Sequence, residues 1–62
     1  MGPIELNQLR KELGLTQNGL AQKVGVAESQ ISRWESGESP IPYAAAKLVR
    51  IEAALAKDEG MD

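Results

Sequence analysis

The 62-residue chain is 42% hydrophobic and 26% charged, a composition typical of one globular domain rather than of a disordered segment. It has no cysteine and no histidine, which excludes disulfide bonds, the commonest zinc sites and the commonest general base of enzymes. Its formal net charge of −2 argues against an indiscriminate binder of nucleic acid, because such a domain is usually basic.

The acidic residues are concentrated at the C-terminus. Asp58, Glu59 and Asp62 account for three of the nine acidic residues, so residues 1–57 carry six acidic and all seven basic residues. No apolar run approaches the roughly 18 residues of a membrane span, and no charged and then apolar leader is present. We therefore expect a soluble cytoplasmic domain, residues 1–57, that has no cofactor and no metal, does not bind membranes and is not an enzyme. Residues 58–62 are expected to form a frayed acidic tail.

The first half of the chain has the apolar spacing of two short helices. Leu6, Leu9 and Leu13 fall on one helical face and predict a helix from about residue 4 to residue 13. Leu20 and Val24 predict a second helix from residue 17 to about residue 24. The end signals are Pro3 in the first turn, Gly14 after the first helix, Thr16 as the cap of the second and Gly25 after it.

The second half predicts two more helices. Ile31 and Trp34 place a third helix from residue 27 or 28 to about residue 36, and Gly37 ends it. The segment 39–42 contains two prolines and cannot continue a helix. A fourth helix, rich in alanine and leucine, is predicted from Tyr43 to about Lys57. Because helices this short are marginal alone, the sequence predicts a compact all-α bundle of four helices, or five if the last one breaks.

The stretch 16–37 has the features of a helix-turn-helix. Ala21 is small where a second helix must approach steeply, Gly25 supplies the turn, and Val26 is an apolar plug just after it. Ile31, facing inward, anchors the third helix. This arrangement leaves the outer face of the third helix free for the major groove of DNA.

Several short sequence motifs between residues 15 and 37 resemble the Cro/phage-repressor type of helix-turn-helix regulator in both order and spacing. They are Leu15-Thr16-Gln17, Leu20-Ala21, Val24-Gly25-Val26 and Ile31-Ser32-Arg33-Trp34-Glu35-Ser36-Gly37. The resemblance covers roughly residues 6–56. It implies a lambda-repressor-like fold and a regulator that binds double-stranded DNA, usually as a homodimer on a palindromic operator. It also implies a cytoplasmic, nucleoid-associated protein of a bacterium or phage.

The outward positions of the third helix are the candidate base readers. With Ile31 inward, these positions are Glu28, Ser29, Ser32 and Arg33. Arg33 can fork onto guanine O6 and N7, or remain an ordinary solvated side chain. The serines can contact bases, phosphate or water, and Glu28 either accepts from cytosine N4 or only complements the positive end of its helix.

Phosphate contacts are expected at two places. In the family that the chain resembles, the side chain and backbone N–H at the position of Gln17 grip a phosphate, and a helix N-terminus attracts anions in any case. The other phosphate candidates are Thr16 and Asn18 beside it, and Ser36, Tyr43 and Lys47 around the loop after the third helix. Glu38 opposes that role in the loop.

Three further expectations concern structure. In similar repressors an arginine of the first helix pairs with a glutamate late in the third, and the matching residues here are Arg10 and Glu35. Trp34 is expected to pack in the core rather than to stack on bases. Gly19 inside the second helix and Ala27 at the cap of the third are expected to weaken the motif, each by about 1 kcal/mol.

The last helix carries two apolar stripes about 100° apart. The first stripe (Ala44, Leu48, Ile51 and Leu55) is predicted to face the core. The second stripe (Ile41, Ala45, Val49 and Ala53) is predicted either to pack at the periphery or to form a two-fold contact with a second copy, which we favour.

The leading hypothesis is a sequence-specific regulator of transcription, a repressor that binds double-stranded DNA as a homodimer. The alternative is an antitoxin or adaptor that keeps the fold but binds a protein partner, which the acidic Glu28 and Glu38 favour. An enzyme is a distant third, since no acidic pair is forced together and the chain is small for a substrate cavity of about 300 Å³.

Overall fold

A computed structural model describes the backbone of residues 1–59 and the side chains of residues 1–57. Regular structure in this part of the chain consists of four helices: α1 (Pro3–Glu12), α2 (Gln17–Val24), α3 (Glu28–Ser36) and α4 (Tyr43–Glu59). The predicted all-α bundle is confirmed, and the last helix does not break into two. Among the described residues, no helix has the length and apolarity that crossing a membrane requires.

The helices begin and end close to the predicted residues, because the end signals are local. Pro3 opens α1, and the Thr16 hydroxyl caps α2 by accepting from the Gly19 N–H at 3.0 Å. The predicted glycine ends at positions 14, 25 and 37 all have positive φ, from 69° to 83°. Ala27 gives α3 no side-chain cap, as expected. These short helices therefore depend on packing for much of their stability.

The core lies where the four helices converge. α3 packs against α1 and α2, and α4 packs on the same two helices. The fully buried large side chains are one from each helix: Leu6, Leu20, Ile31 and Val49. Trp34 is only 3% exposed, which confirms that it belongs to the core.

The assignment of the two stripes of α4 was wrong, because the structure exchanges them. Ala45 and Val49 of the second stripe are buried, and Ile41 and Ala53 are half-buried, so this stripe is not available as a dimer interface. The first stripe faces outward, with Leu48 44%, Ile51 45% and Leu55 53% exposed. The physical reason is size: small side chains at the contact let the backbone of α4 approach α1 and α2 closely.

α4 also extends further than predicted. It continues through Glu59 instead of ending near Lys57, so the first two residues of the expected tail are helical. The remaining tail residues, 60–62, lie outside the described residues.

The exchange of stripes predicts a large effect for one truncation and a small effect for its neighbour. Val49→Ala should lower the free energy of unfolding by about 1.5 kcal/mol, because it leaves a cavity in the core. Leu48→Ala should change it by less than about 0.5 kcal/mol, because the side chain is half in solvent. Urea unfolding of both variants, followed by circular dichroism, measures the difference. A larger loss for Leu48→Ala would contradict the observed orientation of α4.

Candidate nucleic-acid interface

α2, the turn after it and α3 form the predicted helix-turn-helix. Gly25 adopts φ 77°, a left-handed conformation that favours glycine, and so reverses the chain after α2. The carbonyl of Ala21 accepts from the N–H groups of both Gly25, at 2.8 Å, and Val26, at 3.0 Å. Ala21 itself is 2% exposed, and its small side chain lets the two helices pack closely.

α3 has one buried and one exposed side. Ile31 and Trp34 face the core. The candidate base readers are all exposed: Glu28, Ser29, Ser32 and Arg33. Ser29, Ser32 and Arg33 share the outward face with Ser36. Glu28 lies at the edge of this face, in the first turn of the helix. The structure therefore leaves these side chains free to contact DNA, and the base contacts themselves stay a prediction.

The carboxylate of Glu35 fixes the side of α3 that lies against α1. Arg10 binds Glu35 with two nitrogens, Nε to Oε2 at 2.6 Å and Nη2 to Oε1 at 3.2 Å. The side chains are 15% and 7% exposed, so the pair is largely shielded from water. The predicted pairing of α1 with α3 is confirmed.

Two more side chains donate to the same carboxylate. Asn7 Nδ2 and Gln17 Nε2 each lie 3.1 Å from Glu35 Oε1. Arg10 Nη1 in addition donates to the carbonyl of Leu15, in the α1–α2 connection, at 3.0 Å. One carboxylate therefore joins α1, α2 and α3.

These contacts change the pKa of Glu35. Burial alone would raise the pKa, because it penalises the charged form. The hydrogen bonds from Arg10, Gln17 and Asn7, with the charge of Arg10, outweigh burial and hold the pKa below its ordinary value of 4.5. Glu35 is therefore ionised at neutral pH.

The sequence reasoning missed Asn7 and the carbonyl of Leu15. Asn7 precedes Arg10 by three residues and so lies on the same face of α1, a signal that could have found it. The carbonyl of Leu15 has no such signal, because a backbone acceptor does not depend on the residue type.

The side chain of Gln17 has a partner within the protein. Its Nε2 donates one hydrogen to Glu35 and keeps a second, so the phosphate contact of this side chain stays a prediction. The backbone N–H groups are free as well: among the hydrogen bonds of the described residues, none uses the N–H groups of Gln17 and Asn18. These two N–H groups, at the positive end of α2, are the ones suited to bind a phosphate.

The other phosphate candidates differ in how free they are. The Thr16 hydroxyl is used as the α2 cap, and Asn18 Oδ1 accepts from Gln22 at 2.9 Å. Ser36 donates to the carbonyl of Arg33 at 3.1 Å. Tyr43 is 79% exposed, and Lys47 is also exposed on α4. Their phosphate contacts stay predictions.

The expectation that the chain is too small for a cavity of substrate size was wrong. An open groove of about 400 Å³ lies between the α1–α2 region and the C-terminal half of α4. The ionisable groups that line it, Lys23 and Glu52, approach each other at 3.9 Å. Among the described residues, no cluster of acidic side chains that could hold a metal is present there or elsewhere.

Comparison with known proteins gives one match. A family model described as helix-turn-helix matches residues 6–58, which is most of the chain. No curated protein and no solved structure matches the chain significantly.

The lowered pKa of Glu35 predicts a pH-dependent contribution to stability. Glu35→Gln should lower the free energy of unfolding at pH 7 by about 2 kcal/mol, because it breaks a shielded ion pair. A carboxyl whose pKa is lowered by folding stabilises the protein above its unfolded pKa. That stabilisation is lost as the pH falls through the folded value.

The difference in the free energy of unfolding between wild type and Glu35→Gln should therefore be constant from pH 7 to about pH 5 and become smaller below about pH 4.5. Urea unfolding at a series of pH values measures it. Glu38→Gln, at an exposed glutamate, is the matched control and should change the free energy at pH 7 by less than about 0.5 kcal/mol. A difference in the free energy of unfolding that stays the same at acidic pH would contradict the assigned role of Glu35.

Proposed function

The chain belongs to the Cro/C1-type helix-turn-helix family of DNA-binding regulators, and we propose that it is a sequence-specific repressor of transcription. Its partner is double-stranded DNA, which it binds as a homodimer on a palindromic operator. The observation that carries the proposal is that the outer face of α3 is exposed while Glu35, on its other side, holds the helix against α1. Such a regulator works in the cytoplasm of a bacterium, on the chromosome or on a phage genome.

Sequence is read by α3 in the major groove. Arg33 is exposed and long enough to donate two hydrogen bonds to guanine O6 and N7. Ser29 and Ser32 lie on the same face and can donate or accept. Glu28 accepts only, so it favours cytosine N4 and disfavours a nearby phosphate.

Position on the duplex is set by phosphate contacts at the start of α2. The unused N–H groups of Gln17 and Asn18 lie where the helix dipole attracts an anion. Because Gln17 also donates to Glu35 of α3, the phosphate grip and the reading face are joined through one side chain.

The electrostatics favour few and specific contacts. Residues 1–57 have seven basic and six acidic residues, so the field around the domain is weak. Glu35 holds the Arg10 side chain in a shielded ion pair, which removes one of the seven basic side chains from those available for phosphates. A domain with so few free cations needs two copies to bind tightly, and its affinity should depend only weakly on salt.

A two-fold dimer explains the proposed operator. Two copies related by a two-fold axis present α3 to inverted half-sites, about one helical turn or 34 Å apart. Repression is the simplest outcome, because occupying the operator is enough to block another protein. Activation would need an additional contact with the transcription machinery.

One observation favours the second candidate function, an antitoxin or adaptor. The first stripe of α4 presents Leu48, Ile51 and Leu55 to solvent, where a protein partner could cover them. A domain of that kind would select no sequence from random duplex DNA at low salt. The selection experiment that follows therefore separates the two functions.

Replacing Arg33 tests the reading face. Arg33→Ala should remove the preference at one base pair of each half-site, worth about 1–3 kcal/mol, and leave the other positions unchanged. Selection from random duplexes, followed by sequencing, measures the preference. Arg50→Ala, at an exposed arginine of α4, is the matched control and should select the same sequence as the wild type. An unchanged preference in Arg33→Ala would show that the wrong face of α3 has been assigned.

A pair of changes at Gln17 tests the phosphate contact. Gln17→Ala removes the side chain and keeps the N–H, whereas Gln17→Pro removes both. Proline fits this first helical position, and the extended conformation of Thr16, with ψ 170°, suits a residue before proline.

We expect Gln17→Pro to bind all DNA sequences about tenfold more weakly than Gln17→Ala, because it loses a hydrogen bond to a charged group. Fluorescence anisotropy on operator and random duplexes measures both variants. Since each lacks the bond to Glu35, their difference isolates the N–H. Equal affinities would rule out a phosphate contact by the Gln17 N–H.

A further inference from the structure

The first stripe of α4 is the largest set of apolar side chains that the described part of the molecule leaves uncovered. Leu48, Ile51 and Leu55 remain 44%, 45% and 53% exposed. We infer that this stripe is the surface on which two copies of the chain pair, α4 against α4, with the two helices parallel. The inference deepens the proposed function, on which it rests for the homodimer, by naming the surface and the residues that form it.

The spacing of the stripe is suited to pairing with another helix. Its members are separated by four, three and four residues, which is the spacing of the apolar seam of a coiled coil. None of them is charged, so two such stripes can meet without burying an unpaired charge. A two-fold contact requires a surface that is complementary to itself, and an apolar seam meets that requirement.

The charged neighbours of the stripe indicate a second copy in parallel orientation. Lys47 and Glu52 flank the stripe on opposite sides, because residues on a helix advance by about 100° each. In a parallel pair, Lys47 of one copy lies opposite Glu52 of the second copy, and the two-fold axis repeats the contact. An antiparallel pair would instead bring the lysines to one side and the glutamates to the other.

Glu52 is able to take part in such a contact. Within its own chain it approaches Lys23 at 3.9 Å, the longest of the ion pairs among the described residues. The Lys23 side chain is 53% exposed, so this bond contributes little. Glu52 can therefore bind a second cation at the edge of the stripe.

The area available indicates a weak and reversible dimer. A standard interface covers about 800 Å² per partner, close to a fifth of the 4110 Å² of this domain. Three half-exposed side chains supply only part of this. The groove lined by Leu13, Leu15 and Ala56 adjoins the stripe at Leu55 and can add to it. We expect a dissociation constant on the order of 100 µM for the free protein, with pairing completed on DNA.

Sedimentation equilibrium without DNA tests the surface. The wild type should show a monomer–dimer equilibrium between about 10 µM and 1 mM. Ile51→Lys should weaken it at least about 100-fold, because the two-fold axis places two uncompensated charges in the seam. Ile4→Lys is the matched control, since Ile4 is 75% exposed on α1, and it should dimerise like the wild type. Unchanged circular dichroism of both variants shows that they are folded.

A charge exchange tests the orientation. Lys47→Glu should weaken the dimer roughly tenfold, since it turns two attractions between exposed charges into repulsions. The double variant Lys47→Glu with Glu52→Lys should restore the dimer in a parallel pair. Failure of the double variant to restore it would overturn the parallel arrangement. Because no DNA is present, the role of Lys47 in binding phosphate does not affect the result.

The outcomes separate this inference from the proposed function. A wild type that is monomeric at about 1 mM, or that loses dimerisation with Ile4→Lys but not with Ile51→Lys, overturns the inference. If selection from random duplexes still yields a preferred half-site, the proposed function stands. A dimer that depends on Ile51 but selects no DNA sequence supports the surface and contradicts the proposed function.

Discussion

The position of α3 depends on the carboxylate of Glu35. Apolar contacts by Ile31 and Trp34 hold α3 in the core, but they are not directional and would tolerate a small roll or slide of the helix. The bonds from Asn7, Arg10 and Gln17 are directional and come from two other helices. They fix the rotation of α3 about its axis, and therefore the direction in which Ser29, Ser32 and Arg33 point. Without the carboxylate the same side chains would be exposed, but they would not be held in one register.

The need for such a constraint follows from the weakness of the local signals. α2 and α3 have 8 and 9 residues, too few for helices that are stable alone. Ala27, the residue before α3, provides no side-chain cap, and α2 contains Gly19. A Cβ at Gly19 would lie 3.4 Å from Leu15 Cδ2 and Thr16 Oγ1, so the geometry does not demand a glycine there. The motif is thus held together by tertiary contacts, and the shielded ion pair of Arg10 with Glu35 is the most specific of them.

Most of the fold could be predicted from the sequence, because glycine, proline and capping residues mark the helix ends locally. The helix-turn-helix was predicted from residues at fixed spacing, and the pair of Arg10 with Glu35 from the resemblance to the Cro/phage-repressor type. The buried side of α4 was not, since its two stripes are both apolar and the choice depends on how closely α4 approaches α1 and α2. The bond from Gln17 to Glu35 was missed for a related reason. Nothing in the sequence shows that a side chain suited to a phosphate has a partner within the protein.

The orientation of α4 connects the stability of the monomer to its assembly. By facing Ala45, Ala46 and Val49 inward, the helix buries small side chains and gains less from the hydrophobic effect than it would with its leucines inward. The apolar area that is not used for folding stays on the surface, at Leu48, Ile51 and Leu55. A small domain of this kind is less stable alone, and covering that area in a second copy would stabilise both copies together. In the proposed complex DNA holds two copies side by side, so folding, pairing and recognition of the operator would reinforce one another. The proposed pairing gives the outward Leu48, Ile51 and Leu55 a physical role that a reading of α4 as a simple core helix does not provide.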